Sequence, residues 1–315
     1  MVNALLIAHK EFTDMITSKR LWLIVGLFLL LSVASTYATS FGFRIAGLRV
    51  ARPMLTIASN LSSTMSYMAP ILGVALAFDA ISGERERGTL RILLSRPIFR
   101  EDVINGKIIS ALVVIGLTIT ASSLVSISVS ILLHNVTVSV DDISRICLFI
   151  VFSIVFSFAY YALSLFISTL FSRSSYSLIS GIGIWIFFAF ILPIASSLVA
   201  TVLLGPPPTI PLFNRTQGGQ FGNMSLPESY VSYYRKVSEI SSAIQTVSIN
   251  HHYSQIVNPL FGAAISIGPA GSRVERTLDV PTIISSHAID LIVLIIFPII
   301  FLVASYMVFT RRQEK

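Results

Sequence analysis

"FDAISGERERGTLRILLSRPIFREDVINGK", residues 78–107, gathers six basic and five acidic side chains between two runs that carry almost none. That contrast decides the class of fold, because the rest of the chain is poor in charge. Of 315 residues 12% are charged and 54% hydrophobic, and the mean hydropathy is +0.82. An ordinary soluble domain is about one quarter charged. A chain this apolar is an integral membrane protein, and residues 78–107 are one of its few excursions into water. In such a chain the formal charge of +7 sets orientation and meets anionic headgroups. The lipid bilayer is therefore the expected partner and nucleic acid is not. The one cysteine, Cys147, lies in an apolar run; a single thiol forms neither an intrachain disulfide nor a thiolate metal cluster.

Lipid offers the backbone no hydrogen-bond partner, so a crossing needs about 20 mostly apolar residues in a helix. On either side of the charged stretch six runs qualify: Leu21–Gly42, Leu55–Asp79, Val103–Leu133, Ile146–Phe171, Ser177–Leu204 and Ile283–Phe309. The expected fold is an all-α polytopic membrane protein with six transmembrane helices and both termini on one side. On that side fall Lys10, Lys19, Arg20, Arg85, Arg87, Arg91, Arg96, Arg100, Lys107, Arg173, Arg311, Arg312 and Lys315, thirteen of the 22 basic residues. Of the other nine, five lie in the long segment 205–281, which is set aside because long loops translocate largely regardless of charge. Thirteen against four places both termini, and residues 78–107, in the cytoplasm of a multi-pass plasma-membrane protein. Arg44, Arg49 and Arg52, in the first outer loop, run against the trend. The first run follows a charged lead and is too long for the core of a cleavable signal, so it is expected to remain as a span. Glycosylation triplets at Asn60, Asn135, Asn214 and Asn223 all fall in the outer half.

Four regions result. Residues 1–20 place Leu5, Ala8, Phe12, Met15 and Ile16 on one helical face and Lys10, Glu11, Asp14 and Lys19 on the other, the pattern of an interfacial elbow helix. Residues 21–204 hold spans one to five, with the cytoplasmic segment 80–103 between the second and third. Residues 205–282 form an extracytoplasmic insertion. Its "PESYVSYYRKVSEISSAIQTV" can align Tyr230, Tyr234, Val237 and Ile244, as in an amphipathic helix on the outer membrane surface. Residues 283–315 are the last span and a cytoplasmic tail.

Catalytic signatures are missing from the sequence. It has no phosphate-binding loop, no paired-histidine zinc motif and no nucleophile elbow, so the chain is not expected to hydrolyse ATP or to be an enzyme. His251 and His252 are adjacent and do not share a helical face, and no third ligand is spaced nearby, so no metal site is assigned. Thr118, Ser122, Ser126 and Ser130 recur every four residues along the third span; such a stripe serves close helix packing or lines a pathway. His287 and Asp290, three residues apart near the outer end of the last span, are the other pathway candidates, because ionisable groups at that depth usually face the interior. Asp79 at the inner boundary reads as a cap or a snorkelling group.

Crossing the inner headgroups and returning takes only a few residues, whereas residues 81–100 spend about twenty. The surplus reads as a turn at Gly88, a short helix "TLRILLS" with Leu90, Leu93 and Leu94 on one side, and a stop at Pro97. Glu84, Arg85, Glu86 and Arg87 form a sign-alternating cluster ahead of it. It is either a solvated loop that fixes topology or a docking knob for a soluble partner.

"ISGERERGTLRILLSRPIFREDVINGK" resembles the signature between the second and third spans of type-2 ABC transporter permeases, in the branch of permeases from multicopper-enzyme maturation systems. "HHYSQIVNPL" resembles the segment that precedes the last span in that branch. The resemblance implies an ATP-driven permease, most simply an exporter, that binds no cofactor itself. ATP and Mg would sit in a separate cytoplasmic ATPase subunit, present in two copies, beside a second permease copy or homologue. Ser82, Glu84, Arg85, Glu86, Arg87, Gly88, Thr89, Leu90, Leu93 and Leu94 would form the coupling interface, in a coupling helix over residues 82–96. Two alternatives remain: a non-transporting ABC subunit that transmits ATPase motion to an extracytoplasmic partner, and a secondary transporter or channel.

Overall fold

The computed structural model describes residues 2–46, 53–90, 99–134, 139–208, 228–261, 264–267, 273–276 and 279–311. Helix α1 (Val2–Thr17) is amphipathic. Ala4, Ile7 and Ala8 are buried and Phe12, Met15 and Ile16 pack on the core. Leu5, assigned to the same face, instead points outward at 61% exposure. Ser18 turns the corner, its hydroxyl accepting the Leu21 N–H at 3.2 Å, while the Trp22 indole donates back to the Ile16 carbonyl at 2.7 Å.

The chain continues through α2 (Lys19–Ala46), α3 (Pro53–Ala77), the five-residue α4 (Ser82–Glu86), α5 (Arg100–His134) and α6 (Val140–Leu170). Next come α7 (Ser174–Ile186), a π-helical turn (Phe187–Ile191) and α8 (Leu192–Leu204), which form one continuous rod. Among the described residues six helices are long and apolar enough to cross a membrane, and they correspond to the six expected runs.

Helix α6 is the axis of the bundle, with Phe149, Phe156, Tyr160, Tyr161 and Leu165 almost fully buried. It packs chiefly against α3 and against the last span. Since lipid tails are as apolar as leucine, close packing and small residues must hold these helices together. A Cβ placed on Gly73 of α3 would lie 2.2 Å from the Ser157 carbonyl oxygen of α6, so only glycine allows this approach. Ser157 then donates to the Ala69 carbonyl at 2.7 Å, an interhelical bond worth about 0.6 kcal/mol in a membrane.

The insertion departs from expectation. Helix α9 (Glu228–Gln245) does not lie apart on the membrane surface; it runs antiparallel along α8. The Tyr233 hydroxyl donates to the Gly205 carbonyl at 2.7 Å and the Gln245 amide to Ser196 Oγ at 3.0 Å. Tyr230, Val237 and Ile244 are partly covered, Tyr234 remains 45% exposed, and no residue of α9 is buried. Helix α10 (Ile249–Phe261) then climbs along α6 in the opposite sense. Asn250 meets Tyr160, Tyr253 meets Ser153 at 2.8 Å, and the Leu260 carbonyl meets Arg145 at 2.9 Å. Tyr160 precedes the inner end of α6 at Leu170 by ten residues, about 15 Å of helix, so α9 and α10 form a hairpin that dips between the spans. A two-stranded antiparallel hairpin follows, β1 (Ala264–Ile267) with β2 (Arg273–Arg276). It was not foreseen, since four-residue strands give almost no periodic signal. The last span, expected as one helix, starts as α11 (Val280–Ser286), breaks at His287 and continues as α12 (Ala288–Arg311).

Candidate coupling site and outer polar cluster

Helix α4 is short, and its polar residues reach α6, α5 with α1, and α7. Ser168 of α6 accepts the N–H groups of Ile81 and Ser82 at 3.1 and 2.9 Å and donates to Ser82 Oγ at 3.1 Å. Glu84 turns inward: its Oε1 lies 2.6 Å from Lys107 Nζ of α5. The same ammonium meets Glu11 Oε2 of α1 at 3.0 Å. Lys107 is 2% exposed and both carboxylates 13%, so this three-member ion cluster joins α1, α4 and α5 in low dielectric. Arg85 caps the inner end of α6 by donating to the carbonyls of Phe171 at 2.8 Å and Thr169 at 3.3 Å. Glu86 caps the start of α7, accepting the Ser174 N–H at 3.0 Å and the Ser174 hydroxyl. A carboxylate at a helix N-terminus also meets the positive end of its dipole.

Neighbouring contacts extend the set. Asp79, read as a cap or a snorkelling group, pairs with Arg20 of α2 at 2.9 Å. Arg100 at the head of α5 donates to the Phe309 carbonyl of α12 at 3.1 Å. Gly106 sits where a Cβ would come 2.6 Å from Ile7, which seats the elbow on α5 one residue before Lys107. Between α1, α2 and the end of α3 an open cleft of about 570 Å³ is lined by charged groups that include Lys10, Asp14, Lys19 and Arg87.

The expected outward cluster is thus divided. Ser82 is buried, Glu84 and Arg85 are largely covered, and Glu86, Arg87, Gly88 and Thr89 are exposed. Gly88 makes its turn at φ 72°, a conformation that glycine adopts without strain. Leu90 packs at 1% exposure; Leu93 and Leu94 lie outside the described residues. The sequence signal for the inward ties was the even balance of sign, six cations against five acids, in a stretch too long for a plain turn.

At the opposite end of the bundle from α4, His287 Nδ1 and Asp290 Oδ2 do meet, at 3.1 Å, and a third member joins them. His252 of α10 places Nδ1 2.6 Å from Asp290 Oδ1 and Nε2 2.8 Å from the Thr246 carbonyl. One ring nitrogen therefore ties α10 to α12, and the other ties it to the turn that follows α9. The histidine pair was weighed in the sequence, but its carboxylate partner is 38 residues away. Ser122 and Ser126 are buried at 0% and 1% on α5; the Ser130 side chain lies outside the described set. Asn60 sits within helix α3, and Asn135, Asn214 and Asn223 lie outside the described residues.

The family described as ABC-2 family transporter protein matches residues 5–313. The chain is 28% identical over 190 residues to "Probable ABC transporter permease protein NosY" of Pseudomonas aeruginosa, covering 60% of this chain and 68% of that one. To the protein of the same name from Stutzerimonas stutzeri it is 30% identical over 113 residues, 36% of this chain and 40% of that one.

Proposed function

The chain belongs to the ABC-2 transporter family, and from that premise we propose that it is the permease of an exporter driven by a separate cytoplasmic ATPase docked against α4. Family membership makes it an ABC transporter membrane subunit, multi-pass, with an ATPase as partner. Two ATPases and two permeases are the closed, symmetric solution for such an assembly, and both termini then face the cytoplasm. ATP and Mg belong to the partner subunit. One observation carries the coupling reading: Ser82, Glu84, Arg85 and Glu86, almost consecutive in sequence, bond to α6, to α5 with α1, to the end of α6 and to α7. A push on Arg87, Gly88 and Thr89, which stand exposed beside them, is delivered at once to the elbow and to spans three, four and five.

The test is a variant that alters the exposed face and leaves the ties intact. Arg87→Glu with Thr89→Asp should insert normally and keep its melting temperature, while ATPase stimulation in the reconstituted complex falls severalfold. Full stimulation would refute docking at α4. A second reading, transmission of motion to an extracytoplasmic partner without transport, is favoured by the α9–α10 hairpin. It links the insertion to α6 through Arg145, Tyr160 and Tyr253. Transport of any solute by the assembled complex in vesicles would exclude it.

A further inference from the structure

We propose that a polar cavity under the α9–α10 hairpin is a binding site for an uncharged polyhydroxyl group. The cavity holds about 220 Å³ between α3, the π turn and α10. That is room for roughly seven waters at about 30 Å³ each, and it lies below the 300–1,000 Å³ of sites for drug-sized ligands, so a single small ring fits. Ser63, Ser66 and Tyr67 line it from α3. Ser66 precedes the inner-boundary Asp79 by thirteen residues, about 20 Å of helix, so the cavity reaches hydrocarbon depth in the outer half of the bundle. Polar groups are costly there unless they are partnered.

The lining is rich in hydrogen-bonding capacity and carries no carboxylate, lysine or arginine. Ser63, Ser66 and Ser254 donate their hydroxyl protons to carbonyls of their own helices, which leaves their lone pairs to accept. Gln245 uses its amide nitrogen on Ser196 and keeps its oxygen, whereas Asn250 uses its oxygen on Tyr160 and keeps its amide nitrogen. Burial, and next the adjacent His252, hold the His251 imidazole below its ordinary pKa, so this ring adds no charge at neutral pH. Two prolines add acceptors. Pro70 has no N–H for the Ser66 carbonyl one turn earlier, and Pro193 has none for the Ala189 carbonyl; Ser66 and Ala189 both line the cavity. The π turn beside it is an irregularity that recurs at functional sites. Acceptors thus outnumber donors around a neutral void, with the rings of Tyr67 and Phe188 on its wall. A ligand that suits this set brings many O–H donors and no formal charge.

Binding here does not depend on the coupling reading, and its test leaves the ATPase out. Trp185 reports on the site, because its ring packs on Phe190 at 5.8 Å and Phe190 stacks on Tyr67 at 5.6 Å. The full chain carrying Trp22→Phe would be placed in phosphatidylcholine nanodiscs and its fluorescence titrated. One arm uses soluble methyl-β-glucoside, a second uses discs doped with a glucosyl diacylglycerol, and glucosamine and glucuronate are the charged comparisons. The expected result is a saturable change with at least one neutral glucoside and binding about tenfold weaker or more for both charged sugars. A response to the soluble probe assigns the ligand to the aqueous phase, and a response to the lipid probe alone assigns it to the leaflet. Tyr67→Phe with Asn258→Leu, at positions that are exposed, should lower affinity about tenfold at unchanged melting temperature. Should that pair unfold, Asn258→Asp should weaken neutral binding and admit glucosamine. No saturable response to either glucoside, equal binding of the charged sugars, or undiminished binding by the folded variants would overturn the site.

Discussion

Lys107 meets two carboxylates that are not equivalent. Glu84 is closer, at 2.6 Å against 3.0 Å for Glu11, and Glu11 is also approached by Lys10 at 3.7 Å. Removing either carboxylate leaves the other to neutralise the ammonium, so neither substitution strands a charge at the full cost of about 3–5 kcal/mol. Glu84→Ala, which removes the closer partner, is expected to lower unfolding free energy by about 2–3 kcal/mol in detergent. Glu11→Ala should cost about 1–2 kcal/mol. Denaturant unfolding of the two variants checks the order, and an equal or inverted order would show that Glu11 carries the cluster. At the outer end, His252→Ala should destabilise more than His287→Ala, since His252 is 5% exposed and bonded through both nitrogens while His287 is bonded to Asp290 at a longer 3.1 Å. Thermal unfolding of both variants decides between them.

Among the elements, the α3–α6 contact is the tightest constraint. With a Cβ 2.2 Å from the Ser157 carbonyl oxygen and 2.8 Å from the Tyr161 nitrogen, Gly73→Ala must push two backbones apart. Backbone cannot rotate away as a side chain can, so the variant is expected to lose its monodisperse peak in size-exclusion chromatography. The hairpin is held more softly. Tyr253→Phe keeps the ring stack on Phe156 at 4.1 Å and deletes the bond to Ser153, for an expected loss of about 0.5–1.5 kcal/mol by thermal unfolding. A much larger loss would mean that the α10 dock, rather than α3, organises α6.

For the whole molecule orientation is checked by labelling, because the arginines at positions 44, 49 and 52 oppose the charge trend. Cys147 is exposed and is the single cysteine, so Cys147→Ser gives a clean background. Cysteines placed at Ser139 and Ser229 should be labelled in intact cells by a membrane-impermeant reagent, and one at Thr89 should not. The reverse pattern would turn the six-span arrangement over and move α4 away from any cytoplasmic ATPase.

Much of this was legible in residue order alone. Hydropathy is a local sum, so six apolar runs specify six crossings wherever the helices finally pack, and the 78–107 stretch carries its family resemblance in contiguous residues. The elbow helix, the Gly88 turn and the His287–Asp290 contact are likewise short-range. Partners distant in sequence were not legible. Lys107 and Glu11 are 96 residues apart and Arg85 and Phe171 are 86 apart, and nothing in local periodicity links them. The amphipathic face of α9 announced that something apolar covers it, yet lipid and α8 satisfy the same pattern. Sequence by itself thus determined the membrane class and the number of helices apolar enough to span it. Tertiary structure decided that Glu84 faces inward and that the insertion re-enters the bundle, because a buried charge or polar face is settled only by which opposite group the fold brings within bonding distance.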